Sequence, residues 1–229
     1  TLLDSNGKPK NITSPKSTSF FNGRNYVLEE SLRSDFALVK AHIGDTEGNL
    51  IFRKTARNFN EDMATAGIIT IAEVEELVPA GSLDPDKIHL PGIFVQRIIK
   101  GEKYEKRIEK LRSPNDKESK DSLKNKIAKR AAMELSNGMY VNLGIGIPNL
   151  VTDFLDKDTQ VVIHTENGML GVGPYPYGKE DSDLISAIKE PISELKGCSY
   201  FSSSESFGMV RGNHVDVTIL GAFQVSEKG

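Results

Sequence analysis

The fold turns on one stretch, Met139-Tyr140-Val141-Asn142-Leu143-Gly144-Ile145-Gly146-Ile147-Pro148-Asn149-Leu150-Val151-Thr152-Asp153-Phe154-Leu155. Residues 139–143 are mostly apolar and of strand length, two glycines follow, and Pro148 suits the first turn of a helix over 149–155. This is a strand–turn–helix unit, and the pattern continues on both sides. Upstream, Leu123, Ile127, Ala131 and Leu135 recur every four residues with Ala128 beside them, predicting a helix. Asp121 can cap its start and Asn137-Gly138 its end. Downstream, 161–165 reads as a second strand and 183–189 as helical. Residues 214–224 contain a last strand, Val215-Asp216-Val217-Thr218-Ile219-Leu220. Alternating strands and helices predict an α/β chain with an open, largely parallel sheet.

The first half has a different texture. Segments 26–28, 36–40, 50–52, 68–74 and 93–99 are rich in β-branched and aromatic residues and read as strands. Residues 58–66 suit a short helix, and Asp45-Thr46-Glu47-Gly48-Asn49 a turn. Residues 1–19 are polar and read as a surface loop. The sequon Asn11-Ile12-Thr13 inside it is of a kind common by chance. Between the halves, 104–126 is dense in charges of both signs, broken by Pro114-Asn115, and has little to bury. Acids nearly balance bases there, which argues against a basic binding patch. The expected organisation is two incomplete α/β domains, 1–111 and 123–229, joined by an exposed linker over 112–122.

Composition narrows the function. The 229 residues are 38% hydrophobic and 27% charged with a net charge of −3, an ordinary soluble mixture without a global pull toward nucleic acid. The single cysteine, Cys198, allows no internal disulfide and has no activating base nearby in the sequence, so it reads as inert. His42, His89, His164 and His214 show no metal-ligand spacing, and no metal is expected. No apolar run is long enough to span a bilayer. No signal or transit peptide is visible, and the chain starts at Thr1.

Two motifs could carry chemistry. In Asn142-Leu143-Gly144-Ile145-Gly146-Ile147-Pro148, glycines after a strand and before a helix allow close approach to backbone N–H groups, a suitable seat for an anion. A tight turn with no ligand explains the same residues. In Glu166-Asn167-Gly168-Met169-Leu170-Gly171-Val172-Gly173-Pro174 a carboxylate follows a strand, at the strand end where α/β sheets place ligands. An Asn-Gly surface turn explains that motif equally. Taken together, Gly144, Gly146 and an acid 20 residues later imitate a dinucleotide-binding fingerprint. The third glycine is absent, since position 149 is Asn. His164, two residues before Glu166, either tunes that carboxylate or packs in the core. Glu205 reads as structural.

Both motifs, in this order, resemble the paired signature of the 3-ketoacid CoA transferases. Ser206-Phe207-Gly208-Met209-Val210-Arg211-Gly212-Asn213-His214 and Leu220-Gly221-Ala222-Phe223-Gln224-Val225-Ser226 are similar to the family's next block. So, in the first half, are Phe21-Asn22-Gly23-Arg24, Asp35-Phe36-Ala37-Leu38-Val39-Lys40-Ala41, Gly48-Asn49-Leu50 and Ala56-Arg57-Asn58-Phe59-Asn60. The resemblance covers nearly everything outside the linker. Both halves on one chain look like the animal mitochondrial form, whereas bacterial relatives usually split them. This chain has His164-Thr165 where the family often has Gln-Ser, Ser186-Ala187-Ile188-Lys189 for Asn-Ala-Gly-Lys, and Arg211-Gly212-Asn213-His214 for Arg-Gly-Gly-His.

The resemblance implies an enzyme that moves CoA from succinyl-CoA to acetoacetate by a ping-pong route through a glutamyl–CoA thioester at Glu166. It implies CoA or substrate contacts from Asn142, Gly144, Gly146, Asn167, Gly168 and Lys189, with Arg211 a weaker candidate. No cofactor is implied, coenzyme A being a substrate. It further implies a homodimer, the mitochondrial matrix, and a chain cut at both ends so that part of the acyl-CoA pocket lies elsewhere. Another short-chain acid pair, a dinucleotide-binding oxidoreductase and a non-catalytic CoA-binding module are the alternatives.

Overall fold

The computed structural model describes residues 2–11, 14–103, 105–113 and 122–229. Ile12 and Thr13 of the sequon, the breaker pair Pro114-Asn115, most of the expected linker and the expected cap Asp121 lie outside the described residues. The chain divides into two compact units, Thr1–Ser34 and Asp35–Gly229.

The first unit holds two antiparallel ribbons, β1 (Leu2–Leu3) with β2 (Pro9–Asn11) and β3 (Thr18–Phe21) with β4 (Arg24–Val27). The register Phe21↔Arg24 leaves Asn22-Gly23 as a two-residue turn. Both residues have positive φ, 50° and 78°, the conformation that fits a turn to the right-handed twist of a hairpin. The first ribbon and the start of β3 thus stand where the composition suggested loop, and β4 overlaps the strand expected over 26–28.

The second unit contains two sheets. The first has the order β6-β5-β7-β8, from β5 (Ser34–Asp45), β6 (Leu50–Ile51), β7 (Gly67–Val78) and β8 (Arg97–Lys100). The expected 45–49 turn closes the antiparallel β5–β6 pair. Buried Asp45 accepts from the backbone N–H groups of Glu47 and Asn49 at 3.0 and 2.9 Å and ties off the loop. A 3-10 turn, Lys54–Arg57, and helix α1 (Asn60–Ala66) lead from β6 to β7. Val39, Ala41, Leu50, Phe52, Ala64, Ala72, Val74 and Leu90 form the core on one face.

The other sheet has the order β12-β11-β10-β9-β13, from β9 (Tyr140–Leu143), β10 (Val162–Thr165), β11 (Met169–Gly173), β12 (Ser193–Tyr200) and β13 (Val217–Ile219). Strands β10, β9 and β13 are parallel, whereas β10–β11 and β11–β12 are antiparallel. The α/β class and the open sheets are as expected, but the sheet is mixed rather than largely parallel. The cause is local: Glu166-Asn167-Gly168 folds straight back as a hairpin instead of leading into a crossover helix.

Other elements differ from expectation for equally local reasons. Helix α2 (Leu123–Ala132) is capped by Ser122, whose Oγ accepts from Asn125 N at 3.3 Å. Its buried face is Ala128 and Ala132, while Leu123 and Ile127 are 77% and 54% exposed. Gly138 belongs to the following turn, not to the helix end. Residues Ile147–Phe154 form a 3-10 helix rather than an α-helix, entered from Gly146 at φ 90° with Pro148 in its first turn. The expected helix over 183–189 is absent. Ser186 N donates to Glu190 O (2.9 Å), Lys189 takes φ 70°, and an Ile185↔Pro191 bridge closes a loop. Helix α3 (Ser203–Arg211) was not expected. The last strand spans only Val217–Ile219.

Candidate functional site

Gly144 and Glu166 are the first residues beyond adjacent parallel strands, β9 and β10, so both motifs leave the sheet at the same C-terminal strand end. Each owes its shape to identifiable contacts. Asn149 Nδ2 donates to the Gly144 carbonyl at 2.9 Å, and Gly144 N donates to Ile219 O at 2.8 Å. The residue that replaces the fingerprint's third glycine thus braces the loop. Gly144 is buried against Leu220 and Ile219, whereas exposed Gly146 has open space around it.

Glu166 opens the three-residue loop of the β10–β11 hairpin, whose register is Thr165↔Met169. Gly168 N donates back to Thr165 O at 3.0 Å. Gly168 holds φ 111°, and a Cβ there would overlap the Phe201 carbonyl oxygen. The neighbours of Glu166 are tied into the loop 181–191. Thr165 Oγ1 donates to Asn167 Oδ1 (2.7 Å), Asn167 Nδ2 donates to Ile185 O (2.6 Å), and Ala187 N donates to Thr165 Oγ1 (3.2 Å). Glu166 itself is half-buried, and its carboxylate makes no hydrogen bond or ion pair among the described residues; neither does the Asn167 N–H. An unengaged carboxylate between immobilised neighbours contributes little to the fold and is available for chemistry.

The remaining candidates fall in different places. Asn142 is 4% exposed, and its Nδ2 donates to His164 Nδ1 at 2.8 Å. That leaves the proton on Nε2, which donates to Ser206 Oγ at 2.9 Å. His164 is buried, stacks on Phe201, and is pushed below its ordinary pKa by burial. The Asn142 amide is therefore engaged inside the protein and His164 is a neutral core group. Lys189 is exposed and free of ion pairs among the described residues. Arg211 lies over the Phe207 ring at 5.5 Å. Glu205 closes the capping box of α3. Asn213 takes φ 60°, a conformation asparagine tolerates. A cleft of about 1180 Å³ is walled by Thr165, Ser186, Ala187, Tyr175 and Tyr177 but not by Glu166.

Sequence reasoning missed Arg53, Thr55, Asp181 and Asp183. Arg53 Nη2 and Nη1 donate to Asp181 Oδ2 and Asp183 Oδ2 at 2.9 and 2.7 Å, and Lys54 Nζ reaches Asp181 Oδ2 at 3.1 Å. These partners lie between 127 and 130 residues apart, and a single sequence carries no signal that pairs them.

Comparison with known proteins defines the class. The chain belongs to the coenzyme A transferase family, whose model matches residues 3–101 and 124–229. It is 46% identical over 223 residues to the human mitochondrial succinyl-CoA:3-ketoacid coenzyme A transferase 2, covering 95% of this chain and 43% of that protein. It is also similar to bacterial enzymes of the same name that are divided into two kinds of subunit. One kind, from Helicobacter pylori, is 58% identical over 106 residues, 46% of this chain and 46% of that protein. The other kind, a probable form from Bacillus subtilis, is 53% identical over 105 residues, 45% of this chain and 49% of that protein. The chain thus spans less than half the length of these relatives. In fold it is similar to an acyl-CoA transferase from Escherichia coli O157:H7 crystallised as a thioester complex with CoA. The TM-score is 0.64 and the identity 19%, over 93% of this chain and 41% of that one.

Proposed function

We propose that this chain carries the acyl-transfer centre of an enzyme that moves coenzyme A from succinyl-CoA to acetoacetate, with Glu166 as nucleophile. The observation that carries the reading is the free Glu166 carboxylate at the C-terminal end of β10, between residues that are each hydrogen-bonded in place. The names of the relatives support the substrate pair.

The chemistry follows from the carboxylate. Glu166 attacks the succinyl-CoA carbonyl, the C–S bond breaks, and a mixed anhydride forms with release of CoA thiolate. The thiolate attacks the Glu166 carbonyl carbon, expelling succinate and leaving a glutamyl–CoA thioester. Acetoacetate attacks that thioester to form a second anhydride and release the thiolate. Attack of the thiolate on the acetoacetyl carbonyl gives acetoacetyl-CoA and regenerates the carboxylate. The first product leaves before the second substrate reacts, so kinetics are ping-pong. Each tetrahedral intermediate needs an oxyanion donor, commonly worth about 3 kcal/mol of barrier. The open Asn167 N–H is the candidate on this chain, since the Gly168 N–H is occupied by Thr165 O. Gly146 and Lys189, both exposed, are the CoA contacts we favour; buried Asn142 and Gly144 act by shaping the loop. CoA and the acids are substrates, so no cofactor is assigned. The protein functions as a homodimer in the mitochondrial matrix, a placement supported by relatives named mitochondrial.

The test is intact mass on the complete polypeptide after incubation with acetoacetyl-CoA, before and after mild hydroxylamine. A gain equal to CoA less one water, on the peptide holding Glu166 and lost with Glu166→Ala, is expected. No adduct in folded protein that binds CoA would leave a non-catalytic CoA-binding module. Activity across a panel of short-chain acids separates succinate and acetoacetate from other pairs.

A further inference from the structure

The loop that holds the neighbours of Glu166 is itself held by the first matched segment. Thr55 N and Thr55 Oγ1 both donate to the Asp183 carbonyl, at 3.0 and 2.9 Å, and Ile185 N donates to Thr55 Oγ1 at 2.9 Å. The Ile185 carbonyl in turn accepts from Asn167 Nδ2 at 2.6 Å. One residue, Ile185, therefore joins Thr55 on its N–H to Asn167 on its carbonyl. The joint is buried, with Thr55 and Asp183 each 3% exposed. Around it, Lys106 Nζ reaches both Asp183 carboxylate oxygens at 2.7 Å, and Arg53 Nη1 reaches one at the same distance. Lys106 also pairs with Glu75 on β7.

We infer that Thr55 is a positioning residue for Glu166, acting through Ile185 and Asn167; this rests on the reading of Glu166 as nucleophile. Its hydroxyl is donor and acceptor at once, so no apolar side chain of the same shape can replace it. Without it the Ile185 N–H loses its partner in a partly buried place, and the Leu184–Ile185 peptide is free to turn and carry the Ile185 carbonyl away from Asn167. The loop bearing Glu166 is then held less firmly, because Thr55 N and the Arg53 and Lys106 side chains still grip Asp183 but nothing fixes the Ile185 peptide. A nucleophile displaced from its attack position, about 3 to 3.5 Å from the acyl carbon, loses rate, not substrate affinity.

The experiment uses the complete polypeptide and follows glutamyl–CoA formation by quenched-flow mass analysis over a range of acetoacetyl-CoA concentrations. Thr55→Val is expected to lower the saturating rate constant about 10- to 100-fold while half-saturation shifts by less than about 3-fold. Thr55→Ser, which keeps the hydroxyl, is expected to recover most of the rate. Adduct formation in Thr55→Val at the wild-type rate overturns the inference. So does a Thr55→Ser variant as slow as Thr55→Val, because the loss would then come from packing. If Thr55→Val does not fold, Asn167→Ala tests the other end of the same joint by removing the bond to the Ile185 carbonyl. The same rate-only loss is expected there, and a wild-type rate overturns the inference. Absence of adduct in the wild type is a separate outcome that removes the nucleophile reading and this inference with it.

Discussion

Gly168 shows how much of the site rests on single residues. It holds φ 111°, where side chains are disfavoured, and any Cβ would collide with the Phe201 carbonyl. Gly168→Ala is therefore expected to destabilise the folded chain by at least about 1–3 kcal/mol, the usual cost of forcing atoms into filled space. A urea melt checks it, and an unchanged midpoint would mean the hairpin yields more easily than its contacts indicate. Glu166, Asn167 and Gly168 were legible as candidates because a carboxylate followed by Asn-Gly at a strand end is a local pattern. Asn142 and His164 were legible as candidates only. Whether an asparagine faces a ligand or a buried imidazole depends on the neighbouring strand, and His164 Nδ1 reaches Asn142 across 22 positions of sequence. Thr55 gave no signal, because its role lies wholly in partners some 130 residues away.

At the level of elements, legibility followed the range of the forces that make each one. Turn 45–49 and helix α1 are set by adjacent residues and were read directly. The 183–189 segment has helix-like apolar spacing, with Leu184 and Ile188, yet Thr55, Asn167 and Thr165 capture its backbone groups first. Long-range hydrogen bonds outweigh a weak local propensity over seven residues. Helix α3 escaped notice although its start is a capping box. Ser202 Oγ accepts from Glu205 N at 3.2 Å, and Glu205 Oε2 accepts from Ser202 N at 2.9 Å. The Ser-x-x-Glu signal was present, but polar residues follow it and mute the apolar period. Ser202→Ala is expected to cost about 1–2 kcal/mol with no change in denaturant slope. Because α3 also presents Ser206 to His164, the loss should come with faster amide exchange at β10. Loss of stability with β10 exchange unchanged would show that the helix end frays alone.

Over the whole molecule, two histidines tie stability to pH, His164 in the core and the partly buried His89. His89 Nδ1 accepts from Phe52 N at 2.9 Å, an arrangement open only to the neutral ring. Burial first, and the Arg57 charge second, push its pKa down to about 4. His164 moves in the same direction through burial. In the unfolded chain both titrate near ~6.5. Above that pH neither state binds these protons. As pH falls below it the unfolded chain takes up protons that the native core refuses, so stability declines from about 6.5 toward 4. Glu61 works against this trend: burial raises its pKa despite Arg57, so the native state gains a proton early in acid and is favoured there. Asp181 adds loss only below the ordinary carboxylate range. Burial would raise its pKa, but the Asp183 N–H, Lys54 and Arg53 together hold it down. The net slope is thus a difference of opposing groups, and only a variant isolates one of them. His89→Asn keeps an acceptor for the Phe52 N–H and cannot titrate. Between pH 7 and 4.5 its melting temperature should fall less than that of the wild type, by on the order of 2–4 °C. That corresponds to about 1 kcal/mol after allowance for the ring's partial exposure. Parallel falls would show that the His89 pocket admits the charged ring and that the acid sensitivity of the fold comes from elsewhere.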